Sequence, residues 1–171
     1  MQKNIFLSLG SNMGDRARNL SEALSFLQSN GVFIERLSSI YETAPVGPRQ
    51  RKFYNLCLKA RSEFFAEELL ILLKDIENAM GRKKTKRWGE RIIDIDILFF
   101  GKNDFESAKL TIPHKEIKNR LFVLAPLNEI APDFKCATLG GSVKNFLKRA
   151  PIDVKKQKIK KLEFQTAPFK I

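Results

Sequence analysis

The chain is poor in the residues from which most nucleophilic and zinc sites are built. It has one histidine, His114, one tryptophan, Trp88, and two cysteines, Cys57 and Cys136, among 171 residues. With a single imidazole, a Ser-His-Asp or Cys-His constellation has few ways to assemble. The two cysteines lie far apart in apolar contexts and lack CxxC spacing, which argues against a metal or redox motif and leaves them as core thiols of a reducing compartment. Long apolar runs are missing as well. The longest, "LLILL" at 69–73, falls far short of the roughly 20 residues that cross a bilayer, and "MQKNIFLSLGSN" has too short an apolar run for a signal peptide. A cytoplasmic protein with no membrane partner is expected. No GxxxxGK[ST] segment occurs, which excludes a P-loop, and "GSNMG" at 10–14 does not fit the dinucleotide fingerprint.

Positive charge, in contrast, is plentiful. Lys and Arg outnumber Asp and Glu by 31 to 19, a formal net charge of +12, which favours an anionic partner without choosing among nucleic acid, membrane surface and phosphorylated small molecule. Two dense clusters carry much of it, "RKKTKRWGER" at 82–91 and "KKQKIKK" at 155–161. Only the first adjoins a pair of aspartates.

The length suits one compact domain, able to bury roughly 70% of its unfolded surface. "NIFLSL" alternates as a strand does and ends in a turn whose Asp15 can cap a helix. Leu20, Ala23, Leu24 and Leu27 then recur at helical spacing, with Asn30-Gly31 as the stop. "VFIERLSSIYET" reads as a second strand, "APVGPRQRK" as a loop and "FYNLCLKARSE" as a third strand. "EELLILLKDIENAM", from Glu67 to Met80, is a helix closed by Gly81. The aspartate strand follows. The order β-α-β-β-α-β predicts an α+β, ferredoxin-like core with both helices packed on one face of an antiparallel sheet. Additional short elements follow: a "GKND" turn, an "LTIPH" segment and helices around 121–130 and 142–150. Residues 1–150 are taken as the domain and 151–171 as a basic extension, either a solvated tail or an added edge strand blunted by lysines.

The chemistry centres on "RWGERIIDIDILFF" at 87–100. Strand side chains alternate, so Asp94 and Asp96 share one face while Ile93, Ile95 and Ile97 share the other. At about 7 Å and an effective dielectric near 20, two carboxylates repel by roughly 2 kcal/mol before any cost of leaving water. Such a pair calls for a cation. Mg²⁺ takes oxygen ligands, commonly one or two carboxylates with substrate phosphates and water. Arg82, Lys83, Lys84, Lys86, Arg87 and Arg91 lie just upstream, where guanidinium and ammonium groups can hold phosphate oxygens. A carboxylate pair beside a basic segment describes a Mg²⁺-polyphosphate site; the bland counterpart is a solvated strand end whose charges pair with one another.

"RWGERIIDIDIL", together with "LGSNMGD", "YETAPVGP", the Tyr-Asn pair at 54–55, "IENAMGR", "LTIPH" and "KNRLFVLAPLNEIAPD" in the same order, closely resembles the 6-hydroxymethyl-7,8-dihydropterin pyrophosphokinase family of folate biosynthesis. The resemblance spans about residues 4–134. It implies transfer of the diphosphoryl group of ATP to the pterin hydroxymethyl oxygen with release of AMP, two Mg²⁺ ions, and a monomer whose partners are small molecules.

Position by position, the resemblance implies that Asp94 and Asp96 hold the metals, with Asp94 also near the pterin, and that Arg82 and Arg91 act on the phosphates. Glu77, Lys84, Arg87, Ile97, Thr111, His114, Lys115 and Arg120 complete the ATP side, with His114 as a phosphate contact and not a base. Thr43, Ala44, Val46, Phe53, Asn55, Trp88 and Phe122 make the pterin side. Lys84 stands where arginine is common and Lys115 where an aromatic is. Ala44 and Phe53 replace the more usual proline and tyrosine. Two readings of other classes compete. An RNA-binding domain on the same fold would carry the aromatic RNP1 pattern, which is absent, and an acidic pair on the site-facing strand would repel a phosphate backbone, so no nucleic-acid partner is expected. A nucleotide-binding module without activity is the other, and an assay separates it.

Overall fold

The computed structural model describes residues 2–45, 49–83, 89–101 and 104–163. β1 (Lys3–Ser11) is buried along nearly its whole length because it becomes an inner strand of the main sheet. α1 (Arg16–Ser29) follows, its first turn capped where the Asp15 carboxylate accepts the Arg18 N–H at 3.1 Å. It ends at Asn30, and Gly31 turns the chain at φ +82°. β2 (Phe33–Leu37), β3 (Tyr41–Thr43), β4 (Phe53–Ser62), α2 (Ala66–Ala79) and β5 (Asp94–Phe100) complete the expected core.

The segment 32–43, expected as one strand, is two. Both β2 and β3 pair with β4, but between them Ser38 binds Cys57 twice: its N–H donates to the Cys57 carbonyl and its hydroxyl accepts the Cys57 N–H, each at 2.9 Å. A side chain thus stands in for one ladder bond and interrupts the regular pairing. The main sheet is antiparallel throughout, ordered β10 (Ile159–Lys161), β3, β4, β1, β5, with β2 continuing beside β4.

Period-two alternation gives the sheet two covered faces. Ile5, Leu7 and Leu9, Leu56 and Leu58, and Ile93, Ile95 and Ile97 meet Leu20, Leu24 and Leu27 of α1 and Leu69, Leu73 and Ile76 of α2. Each such side chain, fully buried, stabilises the fold by about 1.5–3 kcal/mol. After the short strands β6 (Phe105–Glu106) and β7 (Thr111–Ile112), α3 (Leu121–Ile130) covers the opposite face. Two more short strands, β8 (Lys135–Cys136) and β9 (Gly141–Ser142), lead to α4 (Val143–Arg149). Phe6, Cys57, Leu98 and Phe99 pack there against Leu124 and Leu127; the register skips Leu98, which places Leu98 and Phe99 in the same core.

The chain past 150 is held to this second layer. α5 (Ile152–Lys155) buries Val154, and the Gln157 side chain accepts the Leu121 N–H at 2.9 Å. β10 (Ile159–Lys161) pairs with β3 as an edge strand. Among the described residues no helix is long and apolar enough to cross a membrane, and both cysteines are free thiols.

Candidate active site

The second face of the sheet changes character along its length. On β1 the residues facing α3 run Phe6, Ser8, Gly10; on β4, Cys57, Asn55, Phe53; on β5, Leu98, Asp96, Asp94. The apolar end lies under α3 and α4, and the polar end is left open beside the start of α3. In register, Gly10 lies between Asn55 and Asp94, and Ser8 lies between Cys57 and Asp96. Directly opposed residues point to the same face, so Asn55 and Asp94 flank a bare glycine. The Asn55 carboxamide leans into that space and donates to Thr43 Oγ1 at 2.7 Å.

A cleft stands on this floor. Phe53 and Phe122 give it aromatic faces, Asn55 and Thr43 give it an amide and a hydroxyl, and Arg91, Asp94 and Asp96 close one end. Ala44 and Arg120 also line it. A flat heterocycle with an amide-like edge matches that lining.

The two carboxylates have different surroundings. Asp94 accepts from Arg82 Nη1 at 2.7 Å through Oδ1 and from Arg91 Nη1 through Oδ2. Burial opposes charge on Asp94, but the two guanidiniums outweigh it and hold the carboxyl below its ordinary range. Arg82 also pairs with Glu77. Glu77, only 1% exposed, accepts the Ile95 N–H at 2.7 Å and Lys74 Nζ at 2.9 and 3.0 Å. Burial raises its pKa despite these partners.

Asp96 is under-neutralised. The basic groups nearest it among the described residues are the Arg120 guanidinium, with Nη1 at 3.6 Å, and the His114 ring, with Nε2 at 3.8 Å, both beyond hydrogen-bond length. Burial, and then the Asp94 charge, push its carboxyl above the usual range. His114 is turned by its own backbone neighbourhood, Nδ1 accepting the Glu116 N–H at 3.1 Å. Burial lowers its pKa against the pull of Asp96.

A second, larger opening lies on the other side of β5, the outer strand of the sheet. Lys74, Ile97, Thr111, His114 and Lys115 line it, and so does Asp96. Asp96 is therefore common to both.

The structure brings together Thr43, Ala44, Phe53, Asn55, Arg91, Asp94, Asp96, Arg120 and Phe122 in the first cleft, and Ile97, Thr111, His114 and Lys115 with Asp96 in the second. Glu77 is buried beneath Arg82 with its oxygens engaged. Val46, Lys84, Arg87 and Trp88 lie outside the described residues. Ser8, Gly10, Gln50 and Gly89, which the sequence did not single out, line the first cleft as well. Gly10 had a usable signal, since a glycine inside a strand often marks a close approach.

The family model described as 7,8-dihydro-6-hydroxymethylpterin-pyrophosphokinase matches residues 6–132. A 2-amino-4-hydroxy-6-hydroxymethyldihydropteridine pyrophosphokinase of Bacillus subtilis is 43% identical over 132 residues, 76% of this chain and 79% of that protein. A mitochondrial folate synthesis bifunctional protein of Pisum sativum is 44% identical over 129 residues, 75% of this chain but only 25% of the longer protein. Among solved structures, wild-type HPPK-DHPS of Plasmodium falciparum superposes with a TM-score of 0.70 over 87% of this chain and 45% of that one, at 17% identity, a likeness of fold.

Proposed function

The chain belongs to the 7,8-dihydro-6-hydroxymethylpterin-pyrophosphokinase family, and on that premise we propose how its cleft carries out the family's reaction. The chain is an ATP-dependent diphosphotransferase of folate biosynthesis. The 6-hydroxymethyl oxygen of the dihydropterin attacks the β-phosphorus of ATP, the bond from that phosphorus to the α,β-bridging oxygen breaks, AMP departs with that oxygen, and the hydroxyl proton passes to water.

One observation carries this reading: Asp96 lies where a slot suited to a flat heterocycle meets a larger basic opening. Phosphoryl transfer depends on positioning and charge stabilisation more than on covalent catalysis. The pterin lies over Gly10 between Phe53 and Phe122, with Asn55, Thr43 and Ala44 reading its edge and Val46 and Trp88 completing that side. The nucleotide occupies the second opening against Ile97, Thr111, His114 and Lys115, with Arg120, Lys84 and Arg87 on its phosphates. Arg82 and Arg91 stand over Asp94 and meet the charge that develops on the transferred group.

The family works with a divalent metal. Asp94 and Asp96 suit it: they are two carboxylates on one face, and the second has no cation within hydrogen-bond length among the described residues. Two protein carboxylates completed by phosphate and water oxygens is how Mg²⁺ is commonly held, so we assign two Mg²⁺ ions to this pair. When bound they neutralise the polyphosphate and orient it for in-line displacement. We take residues 1–150 as the catalytic domain, with the 152–161 segment packed onto it, acting as a cytoplasmic monomer on small-molecule substrates.

Chromatography of nucleotides after mixing the protein with ATP, Mg²⁺ and 6-hydroxymethyl-7,8-dihydropterin tests the reading. AMP formed only with the pterin present is the expected result. ADP would mean single-phosphoryl transfer, and intact ATP would sink the reading.

A further inference from the structure

The motif "LGSNMGD" supplies the floor of the cleft at Gly10, but the work of Asn12, just past the end of β1, is unaccounted for. Asn12 is 1% exposed, and both ends of its side chain are engaged. Oδ1 accepts the Arg91 N–H at 2.7 Å, while the Asn12 N–H donates to the Arg91 carbonyl at 3.1 Å. Nδ2 donates to Gln50 Oε1 at 3.0 Å and to the Arg51 carbonyl at 3.3 Å. Arg91 and Gln50 both line the first cleft, and Arg91 also holds Asp94. The same turn braces its neighbours: Arg51 Nη1 donates to the Gly14 carbonyl at 2.7 Å, and Arg16 Nη1 to the Lys52 carbonyl at 2.8 Å.

We infer that Asn12 is a positioning residue that sets two parts of the cleft relative to each other, the Arg91 backbone through Oδ1 and the 50–51 segment before β4 through Nδ2. This rests on the pyrophosphokinase reading above. A carboxamide is required because one side chain must accept on one side and donate twice on the other. An aspartate keeps the acceptor and loses both donors. An alanine loses everything, leaving the part-buried Arg91 N–H without its partner. Since an error of about 1 Å in a reacting group can cost on the order of 100-fold in rate, the two halves separate in kinetics. The Oδ1 half acts on transfer through Arg91, and the Nδ2 half acts on pterin binding through the segment leading into Phe53.

The test is steady-state kinetics of the full chain and its variants, with thermal unfolding alongside. Asn12→Asp raises the pterin KM by about tenfold and leaves kcat and the ATP KM within about twofold. Asn12→Ala raises the pterin KM similarly and also lowers kcat by about tenfold or more. Gln50→Ala, which keeps Asn12, reproduces the pterin effect and serves where the Asn12 variants fold poorly. An active parent whose Asn12→Ala variant keeps kcat and both KM values overturns the inference, as does a fall in activity that only tracks the loss of folded protein. An unchanged pterin KM in Gln50→Ala overturns the Nδ2 half. A parent that makes no pterin-dependent AMP overturns the functional reading itself.

Discussion

Gly10 and Asn55 face each other on adjacent strands so closely that a Cβ on Gly10 would lie 2.6 Å from Asn55 Oδ1. The Asn55 carboxamide is tied to Thr43 and lies in the floor of the cleft, so it cannot yield without leaving its bond. Gly10→Ala therefore displaces Asn55. The expected result is a pterin KM raised by about tenfold or more, with the ATP KM little changed and a stability loss of about 1–3 kcal/mol from overpacking. The double variant with Asn55→Ala removes the obstacle, so its KM should match that of Asn55→Ala alone. Additive effects would show that the contact is not the cause.

Asp94 and Asp96 sit two residues apart but should respond oppositely to neutralisation. Asp94 anchors Arg82 and Arg91, whereas Asp96 is half-buried beside a like charge, with the Arg120 guanidinium 3.6 Å and the His114 ring 3.8 Å away. Asp96→Asn should remove turnover yet stabilise the metal-free protein by about 1 kcal/mol through relief of repulsion. Asp94→Asn should destabilise it by a similar or larger amount. Thermal unfolding without metal reads both, and adding Mg²⁺ with ATP should raise the melting temperature of the parent but not of Asp96→Asn. Identical shifts in the two variants would contradict the asymmetry.

The aspartate strand was legible because alternation alone separates Asp94 and Asp96 from Ile93, Ile95 and Ile97, and the structure keeps that separation. α2 was legible from its apolar spacing to within a residue at each end. The break between β2 and β3 was not, since it depends on Ser38 meeting Cys57 across a strand pairing that no local pattern encodes. The same holds for the cleft. Asn55, Gly10 and Asp94 come from three strands whose order, β4-β1-β5, differs from their order in the chain. The family resemblance named Asn55 and Asp94 but not the glycine between them, whose role is the space it leaves. Asn12 looked like a turn residue, as its neighbours Ser11 and Gly14 suggested, because its partners lie 38 residues away at Gln50 and 79 away at Arg91. Glu77 is unusual among the expected nucleotide residues in being buried under an arginine, a fact that depends on how α2 packs against β5.

Glu129 on α3 ties the edge of the sheet together. It accepts the Ser39 N–H at 3.1 Å, the Ser39 hydroxyl at 2.8 Å and the Tyr41 hydroxyl at 2.9 Å, and Lys161 of β10 lies 3.4 Å away. Burial would raise its pKa, but these donors outweigh it and lower the value from the ordinary 4.5. A folded-state pKa below the unfolded one means that the charged form stabilises the fold above the unfolded value, and that this stability is lost as the pH falls through the folded value. Glu129→Gln should therefore be less stable than the parent at about pH 7, with the gap closing below about pH 4.5. Urea unfolding across that range checks it; a gap independent of pH would mean that the charge of Glu129 contributes nothing.

Arg82 bridges two carboxylates, Glu77 below it and Asp94 at the cleft. It is a quarter exposed, at 24% of its side chain, and so can reach a ligand without leaving a sealed interior. Burial works against its charge, and Asp94 and Glu77 more than restore it, so it stays cationic at any working pH. A guanidinium poised in this way contributes most when charge develops on the transferred group, and least when ATP merely binds. Arg82→Ala should lower kcat by about 10²–10³-fold while the dissociation constant for MgATP changes only a few-fold. Arg82→Lys should recover a minor part, because an ammonium keeps the charge but lacks the planar, multi-donor fork that a guanidinium presents to phosphate oxygens. Single-turnover rates and equilibrium binding of a non-hydrolysable ATP analogue separate the two quantities. An equal loss of affinity and rate in Arg82→Ala would make Arg82 a ground-state ATP contact, and the transfer step would then depend on Arg91.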